Sequence, residues 1–296
     1  MVLQLRLLGT GTPTPLLERA GACYLIECGD EVLLFDCGPG AVRRLLQAGV
    51  APTQVTHLFL THLHYDHCND YSYLVLSRWD QGAGRIPDLA VCGPLGVGRM
   101  TSLLFDEDGV WGPDLEGRTR HGGSQAIYQR RGGVLPRQRP QPRVTEVQGG
   151  ASVPGSDWQV TVAETRHCQP HLHSVAYRLD ESDGSVVFSG DTAPTPRLTE
   201  LARGADVLLH MCHFLNGEEG DSRMSDCCSG HLDAAQTAKD AGVCTLVLVH
   251  LTEQLLAPGL RERMCAEAAE VFDGTIIVGE DLLGVPLTTG PVVPAR

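Results

Sequence analysis

The chain has 296 residues, 42% hydrophobic content, a mean hydropathy of −0.06, a net charge of −13 and a pI near 5.3, the profile of a soluble globular protein able to bury one large core or two small ones. No apolar run approaches the roughly 20 residues of a membrane helix, and Met1–Leu8 leads straight into a glycine turn without a signal-peptide pattern, which argues against a membrane. The acidic balance argues against a broad polyanion-binding face and so against nucleic acid as a partner.

Met1–Leu8 alternates and runs into Gly9-Thr10-Gly11-Thr12-Pro13, a strand followed by a tight glycine loop. Ala22–Cys28 and Glu31–Asp36 read as two strands joined by a hairpin at Gly29-Asp30. Pro39 then starts a helix that carries Leu45 and Leu46 and ends at Gly49. Asp36, at the strand end, either caps this helix or orients a ligand histidine. Val55–Leu60 has the β-branched, apolar character of a buried strand, and Thr61-His62-Leu63-His64-Tyr65-Asp66-His67 follows it directly. A helix is expected over Tyr71–Trp79, capped by Asp66 or Asn69.

Leu89–Cys92 reads as a short strand and Leu95–Phe105 as a helix. Residues 106–143, rich in Gly, Pro and Arg, read as an irregular insertion, functional or mobile. The arginines from Arg118 to Arg143 form either a solvated loop or a contact with an anionic substrate. Further strands are expected at Trp158–Glu164, Val175–Leu179, Ser185–Ser189, Ala205–Met211, Cys244–Val249 and Thr275–Val278, with helices at Pro196–Arg203, Leu232–Ala241 and Pro258–Phe272. Two runs of strands with flanking helices imply a single α/β (α+β) domain over residues 1–296, two sheets face to face with helices outside.

Three imidazoles and one carboxylate between His62 and His67 form a metal-site pattern, because imidazole and carboxylate suit zinc and its first-row neighbours. Buried without a cation, each group left unpaired costs about 1–3 kcal/mol. His167, Asp191 in Phe188-Ser189-Gly190-Asp191-Thr192, and His250 each follow a strand of the second half, where a rigid scaffold holds loop residues in place. His171, His173 and Cys168 compete with His167 as ligands. The 11 cysteines, odd in number and irregularly spaced, argue for a reducing, cytoplasmic compartment rather than a disulfide scaffold. Cys227-Cys228 reads as loop sequence rather than a zinc knuckle, with redox sensitivity as the other reading.

In their order, His62-x-His64-x-Asp66-His67, His167, Ser189-Gly190-Asp191-Thr192 and His250, with Leu8-Gly9-Thr10-Gly11 and Phe35-Asp36-Cys37-Gly38-Pro39-Gly40, resemble the motifs of the metallo-β-lactamase superfamily. The resemblance implies a four-layer αββα sandwich with a dinuclear site between the sheets. It gives His62, His64 and His167 to one metal, Asp66, His67 and His250 to the other, and Asp191 to both. Two Zn2+ per chain are implied, with Mn2+ or Fe2+ as alternatives, and His64 separates the chain from di-iron members that carry glutamate there. Val207-Leu208-Leu209-His210-Met211 with Gly230-His231-Leu232-Asp233-Ala234-Ala235 is similar to the ribonuclease Z and arylsulfatase-like branch, where a histidine matching His231 protonates the leaving group or holds phosphate. His171 and His173 then become substrate-pocket or surface residues. Two departures stand against transfer RNA as substrate: Met211 replaces the glutamate of ribonuclease Z, and the short interval between His167 and Asp191 has no room for the RNA-gripping arm. The branch also implies a homodimer. The expected function is a zinc-dependent hydrolase in which a metal-bridging hydroxide, oriented by Asp66 or Asp191, attacks a phosphodiester or similar small anionic ester. Arylsulfatase, lactonase, thioester hydrolase and transfer-RNA 3′-processing endonuclease are the alternatives, since metals define the nucleophile and loops the substrate.

Overall fold

The structure, a computed structural model, describes residues 4–287. In chain order the first half forms β1 (Gln4–Gly9), β2 (Cys23–Cys28), β3 (Glu31–Phe35), α1 (Ala41–Gln47), β4 (His57–Phe59), α2 (Tyr65–Cys68), α3 (Tyr71–Gly82), β5 (Ala90–Gly93), α4 (Val97–Phe105), α5 (Gly112–Arg120), α6 (Gly122–Arg130) and β6 (Arg143–Glu146). The second half forms β7 (Ser152–Pro154), β8 (Trp158–Glu164), β9 (Val175–Glu181), β10 (Gly184–Phe188), α7 (Pro196–Ala202), β11 (Val207–Met211), α8 (His231–Ala241), β12 (Thr245–Val249), α9 (Leu260–Ala269), β13 (Thr275–Val278) and β14 (Gly284–Pro286).

The strands make two seven-stranded sheets, ordered β14-β1-β2-β3-β4-β5-β6 and β13-β12-β11-β10-β9-β8-β7. Each sheet combines an antiparallel part with a run of parallel strands, β3 to β6 in one and β10 to β13 in the other. Side chains that alternate along these strands divide the apolar residues into separate layers. Leu5, Leu7, Phe35 and Phe59 of the first sheet meet Trp158, Tyr177 and Phe188 of the second to form the central core. Leu8, Leu25, Leu34 and Leu58 point the other way and pack under Leu45, Leu74 and Val97 of the outer helices. Val187, Leu208 and Leu246 do the same beneath Leu198, Ala235 and Met264. The result is the expected αββα sandwich. Among the described residues, no helix is long and apolar enough to cross a membrane.

Residues 106–143 are not irregular: they hold α5 and α6. Leu115 is fully buried against the outer face of the first sheet. Arg118, Arg131 and Arg137 all converge on Asp80 of α3. The Arg137 guanidinium also lies 3.7 Å from the centroid of the Trp79 ring. Burial alone would raise the Asp80 pKa, but hydrogen bonds from Arg137 and Arg131 outweigh it and hold the carboxyl below its ordinary value. These arginines fasten the segment to α3.

Candidate metal centre

β4 ends at Phe59, and the chain turns through Thr61 into α2, presenting His62, His64, Asp66 and His67 at the carboxyl edge of a parallel strand. Asp36 fixes this turn. Its Oδ1 accepts from the Thr61 N–H at 2.7 Å, and its Oδ2 accepts from Thr61 Oγ1 at 2.9 Å and from His67 Nδ1 at 2.8 Å. Asp36 therefore orients a histidine. The end of α1 that it was a candidate to cap begins instead at Gly40, with no side-chain cap. Neither Asp66 nor Asn69 caps α3; Asp70 precedes it, and its carboxylate accepts from the Val42 N–H. Gly38 packs so closely that a Cβ there would lie 1.9 Å from the Asp66 carbonyl oxygen.

The second sheet supplies the remaining groups from the loops after β8, β10 and β12. Asp191 follows Gly190, whose φ of +56° and approach to Thr61, 2.8 Å from an added Cβ, require glycine. Asp36 and His250 themselves hold left-handed backbone, with φ of 60° and 57°, strain that concentrates where side chains must be aimed.

Two groups of ligand atoms result, each with its members within 4.8 Å of one another: His62, His64, His167 and Asp191 in one, and Asp66, His67 and His250 in the other. His64 Nδ1 lies 3.1 Å from His62 Nε2 and 3.2 Å from His167 Nε2. Asp191 reaches both groups, with Oδ2 at 3.9 Å from His62 Nε2, 3.8 Å from His167 Nε2 and 3.2 Å from His250 Nε2, and Oδ1 at 3.4 Å from His67 Nε2. Asp66 Oδ2 lies 3.4 Å from His67 Nε2 and 3.2 Å from His250 Nε2.

Outer partners set the tautomers. Thr61 Oγ1 donates to Asp36 and so accepts from His62 Nδ1 at 3.0 Å, while His167 Nδ1 donates to the Cys227 carbonyl at 2.7 Å. Both rings therefore turn a bare Nε2 towards His64. Their distances to His64 Nδ1, 3.1 and 3.2 Å, suit a shared ion, since bonds of 2.0–2.1 Å to a tetrahedral ion set neighbouring nitrogens about 3.3–3.4 Å apart. Asp66 Oδ1, His67 Nε2 and Asp191 Oδ1 are buried without hydrogen-bond partners, and a cation together with the water it binds would satisfy all three. The donor set fits a pair of first-row ions.

Protonation runs the same way. Burial and then the neighbouring His67 push His62 well below its ordinary pKa. Burial would raise Asp191, but the charges of His250 and His67 outweigh it and keep the carboxylate ionised. Burial would lower His67, but Asp191 and Asp36 raise it well above its usual value, and a cation would take the place of that proton.

Not every residue expected at the site comes to it. His231 is fully buried at the start of α8, with Nε2 2.7 Å from Glu267 Oε2 and Nδ1 accepting from the Asn216 N–H. Both ring nitrogens meet groups outside the two ligand groups. His171 and His173 are exposed and belong to neither ligand group, so His167 is the histidine of that loop brought to the centre. His173 does line a 930 Å³ groove that also includes Thr165, Arg166, Gln169 and Arg197, and none of the seven ligand residues lines it. His213, which the sequence leaves open, comes close to the site: its ring centroid lies 5.6 Å from that of His250, and its Nδ1 is buried without a partner. The sequence signal was the pair of histidines flanking Met211-Cys212, at the end of β11. Met211 accepts from the Thr192 N–H through its sulfur, occupying the wall next to Asp191.

A sandwich of this form, with histidines and aspartates gathered at the strand ends of both sheets, defines a class, and sequence comparison agrees: the metallo-beta-lactamase superfamily model matches residues 16–222, and the chain belongs to that superfamily of metal-dependent hydrolases. Its relatives include the ribonuclease Z of Mycobacterium sp. (strain KMS), 33% identical over 297 residues and covering 99% of both chains. The ribonuclease Z of Mycobacterium bovis (strain BCG / Pasteur 1173P2) is 32% identical over 287 residues, covering 95% of this chain and 97% of that one. Among solved structures, the metallo-beta-lactamase fold protein YhfI from Bacillus subtilis superposes with a TM-score of 0.74 at 19% identity, covering 96% of this chain and 99% of that one. Human tRNase Z, short form, does so with a TM-score of 0.68 at 18% identity and the same coverage. At these identities the two structures establish the fold. The ribonuclease Z relatives overturn the expectation, drawn from net charge, that nucleic acid is not a partner. Whole-chain charge was the wrong measure, because what a polyanion meets is the local surface at the site.

Proposed function

We propose that the protein is a zinc-dependent phosphodiesterase of the ribonuclease Z kind, cutting transfer-RNA precursors on their 3′ side. The observation that carries this reading is the convergence of His62, His64, His167, Asp66, His67, His250 and Asp191 on unpartnered atoms at ligand spacing, in a chain related over its full length to ribonuclease Z. Seven nitrogen and oxygen donors support zinc, and Asp191 between the two groups supports a shared ligand. Free thiols at every described cysteine support a reducing, cytoplasmic compartment.

When bound, the metal pair supplies a water nucleophile at neutral pH and neutralises charge on the phosphoryl oxygens. The chain's own groups do the rest. Asp36 and the Cys227 carbonyl hold His67 and His167 in the tautomers that leave Nε2 free. Asp66 turns Oδ2 to His67 and His250, and its Oδ1, buried and unpartnered, would accept a proton from a water held at the site. The groove lined by the residues before and after His167 offers Arg166, Arg197 and His173 to the phosphate backbone. Arg166 pairs with Asp226 and Arg197 with Glu164, so RNA would exchange these exposed pairs for phosphates at small cost.

The test is incubation of zinc-loaded protein with a precursor transfer RNA bearing a 3′ trailer and, separately, with an aryl phosphodiester. Cleavage at the trailer junction that stops on chelation and returns with zinc supports the reading. Turnover of the aryl diester with an intact precursor would refute it in favour of a small-diester hydrolase.

A further inference from the structure

We propose that His167, Cys227 and Cys228 form an alternative metal site, for a thiophilic d10 cation of the cadmium, cuprous or zinc class, which takes His167 from the histidine–aspartate centre when it fills. One ring nitrogen of His167 and the two thiol sulfurs lie within 4.8 Å of one another. The two Sγ atoms are 3.8 Å apart. Two thiolates bound to one tetrahedral ion at about 2.3 Å stand about 3.8 Å apart, so the pair already has the spacing that such an ion imposes.

A disulfide between the two does not explain the arrangement. Consecutive Cα atoms are about 3.8 Å apart, short of the roughly 4.4–6.8 Å that a relaxed disulfide spans. The setting is soft and largely closed to water: Cys228 is 8% exposed, and Met211, Phe214 and Met224 pack around the pair. Thiolate and thioether surroundings select soft cations over hard ones, which separates this site from the nitrogen and oxygen donors next to it. A divalent ion held through both sulfurs displaces the proton of each thiol, so binding releases two protons.

The site touches the centre through one ring. His167 Nε2 faces His64, and His167 Nδ1 donates to the carbonyl of Cys227 itself. An ion held by the cysteines is therefore in a position to compete for His167. The metal site itself does not depend on what the enzyme cuts.

The test is titration of zinc-saturated full-length protein with cadmium, read by the ultraviolet thiolate-to-cadmium charge-transfer band, which nitrogen and oxygen ligands do not give. The expected result is a band saturating at one equivalent in the wild type and in C244S, which alters an exposed cysteine elsewhere, and absent from C227S/C228S. A wild type without the band, or a band unchanged in C227S/C228S, overturns the site. Alkylation mapping of the wild type covers a double variant that fails to fold: one equivalent of cadmium should protect Cys227 and Cys228 while Cys244 still reacts, and equal reactivity of Cys227 with and without cadmium overturns the site. Neither readout involves RNA cleavage, so failure here leaves the proposed function standing, and the reverse.

Discussion

Replacing Asp36 by asparagine isolates the contribution of a residue that touches no proposed metal. Asp36 accepts at both oxygens, from Thr61 N–H through Oδ1 and from His67 Nδ1 through Oδ2. An asparagine can keep only one of these. With its oxygen towards Thr61, its amide N–H2 faces His67 Nδ1 and moves the ring proton to Nε2, the atom that faces Asp66 and Asp191. With its oxygen towards His67, two donors confront each other at Thr61. Loss of an outer partner of a ligand histidine costs about 10–100-fold in metal affinity. That is about 1.4–2.7 kcal/mol. Competition with a zinc chelator, read as free-zinc concentration at half occupancy, gives the affinity directly. The reasoning fails if Asp36→Asn binds zinc as tightly as the wild type, because the tautomer of His67 would then not depend on Asp36.

Asp191→Ala should lose the second zinc as well as roughly 10³-fold or more of the hydrolysis rate, about 4 kcal/mol of barrier, because among the described residues only this carboxylate reaches both ligand groups; elemental analysis and initial rates read it. His231→Ala should lower stability by about 1–3 kcal/mol in denaturant melts, by stripping partners from Glu267 and Asn216, and should leave zinc affinity at the wild-type value. Chelation should lower the melting temperature, since at zinc concentrations 100 times the dissociation constant binding to the native state adds about 2.7 kcal/mol. Asp80→Asn tests the arginine clasp. The folded pKa of Asp80 lies below its unfolded value of about 3.9, so its stabilisation is complete above that pH and is lost as pH falls through the folded pKa. The variant should therefore melt below the wild type at pH 7, and the two should converge in strong acid.

Chemistry was more legible than conformation. His62, His64, Asp66, His67, Asp191 and His250 were readable because imidazoles and carboxylates gathered at strand ends would be costly to bury without a cation, and the sandwich because β-branched runs alternate with helical periods. Asp36 was ambiguous because a helix cap and an orienting carboxylate leave the same mark after a strand; only the direction of its two hydrogen bonds separates them. α5 and α6 were hidden by Gly112, Gly117, Gly122 and Gly123, which lower helix propensity by about 1 kcal/mol each. Burial of Leu115 and the stacking of Arg137 on Tyr128 and Trp79 supply tertiary support that no local window contains. β6, β7 and β14 are edge strands of three or four residues, too short for a period to register. The partner of His231 was not legible, because a motif fixes a residue's position in the chain and not its contacts, and Glu267 lies on a different helix.

The central claim is two metals held between the sheets with Asp191 in common. Anomalous diffraction from zinc-loaded crystals tests it most directly. The account requires two peaks about 3.5–4 Å apart, one against His62, His64 and His167, the other against Asp66, His67 and His250, with Asp191 touching both. A folded, zinc-loaded protein with no peak between these side chains, or with its ions held by other residues, would contradict it.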